Sequence, residues 1–539
     1  MKHRFEGISI KNYRMFSAEE ENYISLKPIT ILTGTNNSGK SSVMKFLHLI
    51  SENAQKNKLE ILDFNLPGEK HNLGNFENIL NDKTNEFIEF CFDYTWDDIY
   101  HLRCEDDYDY YTETPFKQKI RFKQKYKKLG ESGKLYFIEL IQLVNKRGEK
   151  NVTKLFVYNI EEQKFFIDIE ALYNYLKLQK YGKWREPYLK QELLENFDFT
   201  EIEEDLKHFD KEGVKHFIEQ IVKNILLLSF VSIELNIFDK KVSYKSHLKS
   251  NYFNEMTIND FSELLQDQNP DYLKIVGSVK LSDIIDTVNF PQNYKMVLDS
   301  FVILLNDLIS DLKFDHLEAA KSNSQRIYLR QGHGVSLYSL LEELRKSNIL
   351  NPENEKLKFI NYWLGENGFG LGENIQFNMH LHGTEIKLTK NGRITDLSDL
   401  GYGTNQILAL LLKIALSEEN SVLMIEEPET NIHPSLQSKL AEMFTDAYKK
   451  FGKQFIIETH SEYLIRKMQY LTAKKILKSE EDLVIHYFNT PEKADTEKRI
   501  ITIHIKEDGT LTEDFGKGFF DEADNLSLDL FFLSNVKSN

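Results

Sequence analysis

Two cysteines, Cys91 and Cys104, are all that the 539 residues contain. No disulfide framework can be built from them, and both are expected as free thiols. Proline is sparse at 10 and glycine stands at 25, which excludes collagen-like and proline-rich low-complexity architectures. No run reaches the roughly 18 apolar residues that a membrane-crossing helix needs. The greasiest segment, Ile221–Ile233, is interrupted by Lys223 and Asn224. The opening MKHRFEGISIKNYRMF lacks the apolar centre of a signal peptide, so a cytoplasmic, reduced protein with no membrane partner is expected. Positive charge is in deficit: 68 Lys and Arg against 84 Asp and Glu leave a net charge of −16. Bulk charge therefore does not hold the chain to nucleic acid, and any such contact needs a local basic patch.

What is present is ordinary globular material, 41% hydrophobic and 28% charged. Cores stop growing beyond roughly 250–300 residues, so two or three structural units are expected. Phe5–Ile10 alternates, Ile29–Leu32 is a short apolar run, and Val43–Ile50 has helical spacing: strand, strand, loop, helix. From Phe87 to Ile169, short apolar runs separated by polar turns predict an antiparallel sheet. Residues 171–324 turn helical and rich in Leu, Lys and Glu, without sustained heptads. Strands return with Ile375–Leu381 and Thr384–Thr389, and Asn391-Gly392 is a hairpin turn signal. Then come a helix at Gln406–Leu416, a strand at Val422–Ile425, a helix at Pro434–Tyr448, a strand at Gln454–Ile457 and a further helix. Such alternation predicts a parallel sheet.

Gly34-Thr-Asn36-Asn37-Ser38-Gly39-Lys40-Ser41 fits the GxxxxGK[ST] phosphate loop, after a predicted strand and before a predicted helix, and Ser42 beside it joins the expected ATP-binding residues. The glycines let backbone N–H groups curl around phosphates, Lys40 neutralises β- and γ-phosphate oxygens, and the Ser41 hydroxyl ligates Mg²⁺. Far along the chain, an apolar strand ends in Glu426-Glu427-Pro428. Such a tip suits one carboxylate for the metal's water shell, Glu426, and one to polarise the attacking water, Glu427. A second apolar strand ends at Glu458-Thr459-His460-Ser461, where His460 is expected to contact the γ-phosphate.

These residues, in this order, resemble the ATP-binding-cassette ATPase heads of the SMC and RecF type. They are more specifically similar to the ATPases related to the OLD proteins of bacterial anti-phage defence, including the Septu and retron-associated ATPases. The resemblance implies an α/β head, a P-loop mixed sheet with an antiparallel β subdomain, carrying a helical insertion. The division expected is 1–170 for an N-terminal ATPase lobe, 171–324 for the insertion and 325–539 for a C-terminal lobe. Ile10-Lys-Asn-Tyr-Arg14-Met-Phe16 is similar to the opening segment of such heads, which brings Arg14 to the nucleotide. Leu400-Gly401-Tyr-Gly403-Thr404-Asn405-Gln406 is similar to this group's divergent signature, which closes on the partner subunit's nucleotide. Glycine N–H groups and a helix N-terminus again meet phosphate there. The resemblance thus implies ATP and Mg²⁺, and a homodimer or an assembly of dimers. Glu429–Pro434 resembles the D-loop, with Pro434 opening a helix. Gly518-Phe519-Phe520-Asp521 is similar to a tail of the group.

The chain also departs from the pattern. No glutamine stands in His71–Leu80, where such heads carry their Q-loop, and Glu426 replaces the usual aspartate. Ala320-Lys321 occupies a place where related proteins often carry an arginine. Residues 462–539 hold no DxD of the Toprim nuclease found in OLD proteins. Arg326 with His333, and the pair His380 and His382, match nuclease or metal patterns too loosely to outweigh a surface role. The chain is therefore expected to lack a nuclease of its own and to act with a separate nuclease or effector subunit. The alternative is a RecF- or SMC-like ATP-gated DNA-binding protein of repair or chromosome maintenance; a transporter ATPase fits the signature worse.

One further feature invites a nucleic-acid reading. Lys117, Lys119, Arg121, Lys123, Lys125 and Lys127 alternate with apolar residues, which sets the cations roughly 6.6–7 Å apart on one strand face. Two roles are open: a DNA or RNA contact centred on Lys119, Arg121, Lys123 and Lys125, or a solvated edge strand protected by lysines. The acidic balance of the chain favours the edge strand.

Overall fold

A computed structural model describes residues 3–55, 61–64, 73–96, 118–146, 149–159, 164–167, 255–257, 314–317, 328–329, 337–347, 349–380, 383–489, 498–516, 519 and 526–530. The predicted helical insertion lies outside these residues, apart from two short strands. Outside them too are Cys104, Lys117, Ala320-Lys321, Arg326, His333, His382 and most of the Gly518–Asp521 tail. Among the described residues, no helix is long and apolar enough to cross a membrane.

The chain forms two compact units, and they interleave along the sequence. One comprises Met1–Asn12, Asn53–Asp63 and Asp82–Leu312; the other comprises Tyr13–Glu52, Phe64–Asn81 and Lys313–Asn539.

The first unit is an antiparallel sheet. Its path runs β10 (Glu255–Thr257), β9 (Lys164–Ile167), β8 (Glu149–Asn159), β7 (Ser132–Lys146), β6 (Gln118–Leu129), β5 (Phe87–Trp96) and β1 (His3–Lys11), with β4 (Ile61–Leu62) also on β7. The alternation read from the sequence has its physical origin here. Ile120, Phe122 and Tyr126 are buried on one face of β6, and the odd-numbered cations occupy the other. Cys91 is buried and not in a disulfide.

β6 is not an edge strand. It lies between β5 and β7, and register places acids against its cations: Asp93 opposite Arg121, Glu89 opposite Lys125, and Glu139 opposite Lys123. Arg121 grips Asp93 through Nε and Nη2 at 2.7 and 2.9 Å. Lys125 meets Glu89 at 2.7 Å, Lys123 lies between Glu89 and Glu139 at 3.6 and 3.5 Å, and Lys119 pairs with Glu6. Solvated-edge protection is thus corrected to a cross-strand charge ladder. Its cations are engaged by neighbouring carboxylates.

The second unit holds a six-stranded sheet in the order β11 (Asp315–Leu317), β16 (Val422–Glu426), β17 (Gln454–Glu458), β3 (Ile29–Gly34), β18 (Leu483–Phe488) and β19 (Ile500–Ile503). All neighbours are parallel except β19, which runs antiparallel to β18. β3, β17 and β18 are buried throughout, as expected of strands covered on both faces. Asp315–Leu317, read as helical, is an edge strand: its backbone pairs with Leu423–Ile425. β2 (Asn22–Ser25) and the two strands after Ala473 were not among the expected elements, although LVIHYF and IITI are apolar, β-branched runs. A smaller sheet joins β12 (Tyr328–Leu329), β13 (Asn374–His380), β14 (Gly383–Lys390) and β15 (Arg393–Asp396). Asn391 and Gly392 both have positive φ at its predicted hairpin turn.

Helices α1 (Lys40–Gln55), α2 (Phe76–Ile79), α3 (Leu337–Lys346), α4 (Glu355–Leu364), α5 (Tyr402–Leu416), α6 (Pro434–Phe451) and α7 (Glu462–Ala473) complete the described unit. One continuous core joins the parallel sheet to α3–α7, including Leu341, Trp363, Leu411, Phe444 and Met468. Pro434 opens α6 behind its cap His433, and Gly452 closes it at φ 64°. Lys453 is fully buried, and its Nζ donates to Ser417 O and Oγ, each at 2.8 Å, just beyond the end of α5.

Candidate nucleotide site

Three strand tips converge at the carboxyl edge of the parallel sheet, where open α/β sheets bind ligands. β3 runs into the phosphate loop; β17 lies beside it, with Glu458 in register with Leu32. β16 follows, with Glu426 opposite Glu458. Three distant stretches of the chain are thereby collected: Lys40-Ser41, the Glu426-Glu427 pair and the Glu458–His460 tip.

The loop needs its first glycine for two reasons. Gly34 has φ 130°, and a Cβ there would run into the carbonyl oxygen of Phe488 on β18. Asn37 at φ 59° and Gly39 at φ 114° continue the turn, which is tied by Ser38 Oγ donating to Thr35 O at 2.7 Å. Asn36 and Asn37 are exposed, whereas Ser38, Gly39, Lys40 and Ser42 are buried. Ser42 N–H donates to Gly39 O at 3.0 Å as α1 begins. Lys40 folds along the loop, its Nζ donating to Gly34 O at 3.1 Å and Thr35 O at 2.7 Å. Burial pushes its pKa below the ordinary lysine value, against the pull of Glu458 and Glu427. The lysine is thus held where a loop-bound phosphate would be neutralised.

Glu427 has φ 40°, a left-handed conformation that costs a non-glycine residue about 1–3 kcal/mol. The surroundings impose it. Its N–H donates to Glu458 O at 2.8 Å, and Thr430 Oγ1 donates to its Oε2 at 3.2 Å. The charges of Lys40 and His460 both feel it. His460 is exposed, with a pKa lowered by partial desolvation and by Lys40.

Three residues were passed over in the sequence. Glu458 stands within a motif read for its histidine, yet its Oε1 accepts from Ser41 Oγ at 2.9 Å. Burial, then the charges of Glu426 and Glu427, raise its pKa to about 7. Glu429 accepts the His460 N–H at 2.7 Å, which fixes the backbone of the histidine tip. His316, on edge strand β11, brings Nε2 to 3.2 Å from Glu426 Oε1 and lies tilted against the His48 ring, centroids 4.8 Å apart. Glu458 was legible as a carboxylate at a strand tip; His316 had no local signal.

Arg14 has φ 50°; its N–H donates to Ile79 O at 2.5 Å and its carbonyl accepts from Asn81 Nδ2 at 2.7 Å. The Tyr13–Phe16 turn it belongs to reaches the phosphate loop through Met15, whose Cβ lies 3.5 Å from an ideal Cβ on Gly39. Of the signature residues, Gly401 is exposed at the N-cap of α5, Gly403 and Thr404 are half-buried, and Asn405 is buried. A Cβ on Gly403 would meet Asn431 O at 2.6 Å, so the glycine lets α5 seat against the segment after Glu427.

Ser41 Oγ lies against the Glu458 carboxylate, and Glu426 stands opposite Glu458 on the next strand, so the hydroxyl and two carboxylates offer oxygen donors. That set suits Mg²⁺, which takes one or two carboxylates and completes its shell with water and substrate phosphates. Among the described residues, no group of three or more His, Cys, Asp and Glu forms a ready metal cage.

A phosphate loop on the central strand of a parallel sheet, with carboxylates on the adjoining tips, defines a P-loop ATPase. The model of the AAA ATPase domain family matches residues 4–465, and the chain belongs to that family. Residues 479–530 match a second model, a protein family of unknown function (DUF3696). No curated protein matches the sequence. Similar solved structures include the Smc head domain with an extended coiled coil, bound to the C-terminal domain of ScpA, from Pyrococcus furiosus. It is 11% identical, covers 93% of this chain and 96% of that chain, and has a TM-score of 0.34. The SMC head domain from Thermotoga maritima is likewise 11% identical, covering 90% and 95%, with a TM-score of 0.31. Likenesses this distant carry no argument about function.

Proposed function

We propose that this ATPase binds and hydrolyses ATP, dimerises around the nucleotide, and thereby controls a separate nuclease or other effector subunit in anti-phage defence. The observation that carries the catalytic part is the convergence of Lys40, Ser41, Glu427 and His460 on one sheet edge. In this reading the loop N–H groups and Lys40 hold the β- and γ-phosphates, with Arg14 approaching from its turn. Ser41 and Glu426 hold Mg²⁺, which when bound draws charge from the phosphate oxygens. Glu427 accepts a hydrogen bond from the attacking water and orients it in line with the γ-phosphate. His460 donates to the γ-phosphate, and Glu429 keeps that histidine in place. Gly401, Gly403, Thr404 and Asn405 serve the second subunit's nucleotide.

The effector step rests on the sequence resemblance to defence ATPases. Its test is the native mass of the protein expressed with its genomic neighbours, with and without ATP and Mg²⁺. A nuclease bound to a dimer or larger assembly supports the proposal. A lone protein that dimerises only with ATP and then retains DNA overturns it in favour of an ATP-gated DNA clamp.

A further inference from the structure

Arg499 stands immediately before β19, inside the segment that matches the family of unknown function. Its backbone is fixed from β18: Asn489 N–H donates to Arg499 O at 2.9 Å, and Asn489 Nδ2 donates to Lys498 O at 2.9 Å. Asn489 itself is buried. The guanidinium lies over the Phe16 ring, 5.5 Å from its centroid, and Nη2 comes to 3.8 Å from an ideal Cβ on Gly39. The C-terminal segment thus delivers a cation to the second glycine of the phosphate loop, against the turn that carries Arg14.

Nε and Nη2 of Arg499 are both buried, and neither has a hydrogen-bond partner among the described residues. Buried polar groups are normally satisfied, and two buried donors left unpaired on a half-buried cation carry a cost. The two idle donors lie on the same edge of the guanidinium. The same pair, Nε with Nη2, holds the two oxygens of Asp93 in Arg121. An edge of that kind fits two oxygens of a carboxylate or phosphate. Its position beside a phosphate loop selects the phosphate.

We infer that Arg499 is a nucleotide-binding residue whose Nε–Nη2 edge takes two oxygens of the bound polyphosphate, completing the loop from the C-terminal segment. The inference deepens the nucleotide-binding reading above and rests on it. Phe16 holds the guanidinium plane, and Asn489 sets the backbone from which it extends.

The test compares wild type, Arg499→Met, Arg499→Lys and Lys40→Ala for ADP binding by calorimetry and for pyrophosphate as a competitor of a fluorescent ADP. The thermal midpoint of each nucleotide-free protein is measured alongside. A charge-assisted hydrogen-bond pair of this kind makes Arg499→Met bind ADP and pyrophosphate about 10–100-fold more weakly. Its nucleotide-free midpoint stays equal to or above wild type, because two buried, unpaired donors have been removed. Arg499→Lys keeps the charge without the fork and falls between the two; if Arg499→Met does not fold, this variant decides. Wild-type affinity in a folded variant overturns the inference, as does weakened ADP binding with unchanged pyrophosphate. A wild-type protein that binds no ADP overturns the nucleotide reading itself, which is a separate result.

Discussion

Replacing Glu427 by glutamine removes one charge and almost nothing else. The side chain is held by geometry: the backbone is fixed at φ 40° through Glu458 O, and Thr430 Oγ1 donates to Oε2. A glutamine carbonyl oxygen accepts the same Thr430 hydrogen bond, so the fold and the loop around Lys40 stay as they are. What is lost is a carboxylate that accepts a proton or orients water, a contribution of about 10²–10⁴ in rate. Single-turnover hydrolysis of radiolabelled ATP should therefore slow by at least about 100-fold. Equilibrium binding of ATP should stay within about threefold of wild type, well under the 1.4 kcal/mol of a tenfold change. Hydrolysis at the wild-type rate would move the water-orienting role to another carboxylate, Glu458 being nearest to Ser41. Loss of ATP binding would refute the claim that geometry and charge are separable here.

Other perturbations test the fold that carries the site. Arg121→Ala leaves Asp93 buried without its partner and should destabilise the protein by about 3 kcal/mol. The double variant with Asp93→Ala should recover part of that loss in urea denaturation, whereas an additive result would mean that the pair does not interact. His486 is completely buried; its Nε2 donates to Ser25 O at 2.7 Å, and burial pulls its pKa down to about 4. The unfolded chain therefore binds a proton more readily, and this contribution is present above about pH 6.5 and is lost as pH falls towards 4. The His486 share of the loss between pH 7 and pH 5 is about 2 kcal/mol. Comparing wild type with His486→Gln at both pH values isolates it, and an equal pH dependence in the two would contradict it.

Local chemistry was legible where the chain repeats a strand followed by a polar tip. Ile29–Gly34, Val422–Glu426 and Gln454–Glu458 are short apolar runs ended by residues that apolar packing cannot use, so both strand and site could be read together. Elements whose existence depends on distant pairing were not legible. Asp315–Leu317 is a strand because β16 lies beside it, and that edge brings His316 to Glu426. The cations of β6 were visible by alternation, but their meaning lay in register: Asp93, Glu89 and Glu139 fall opposite them only once β5 and β7 are paired. Arg499 is the extreme case, 460 positions beyond Gly39 in the chain and brought near it by β18 and β19.

The most direct test of the central claim is equilibrium dialysis of ATP with Mg²⁺ against wild type and Lys40→Ala. Lys40 is buried against Gly34 O and Thr35 O at the centre of the loop. The account predicts one ATP per chain for wild type and at least about 100-fold weaker binding for the variant, the loss of a buried charged contact. Tight ATP binding that survives Lys40→Ala in a folded protein would contradict it.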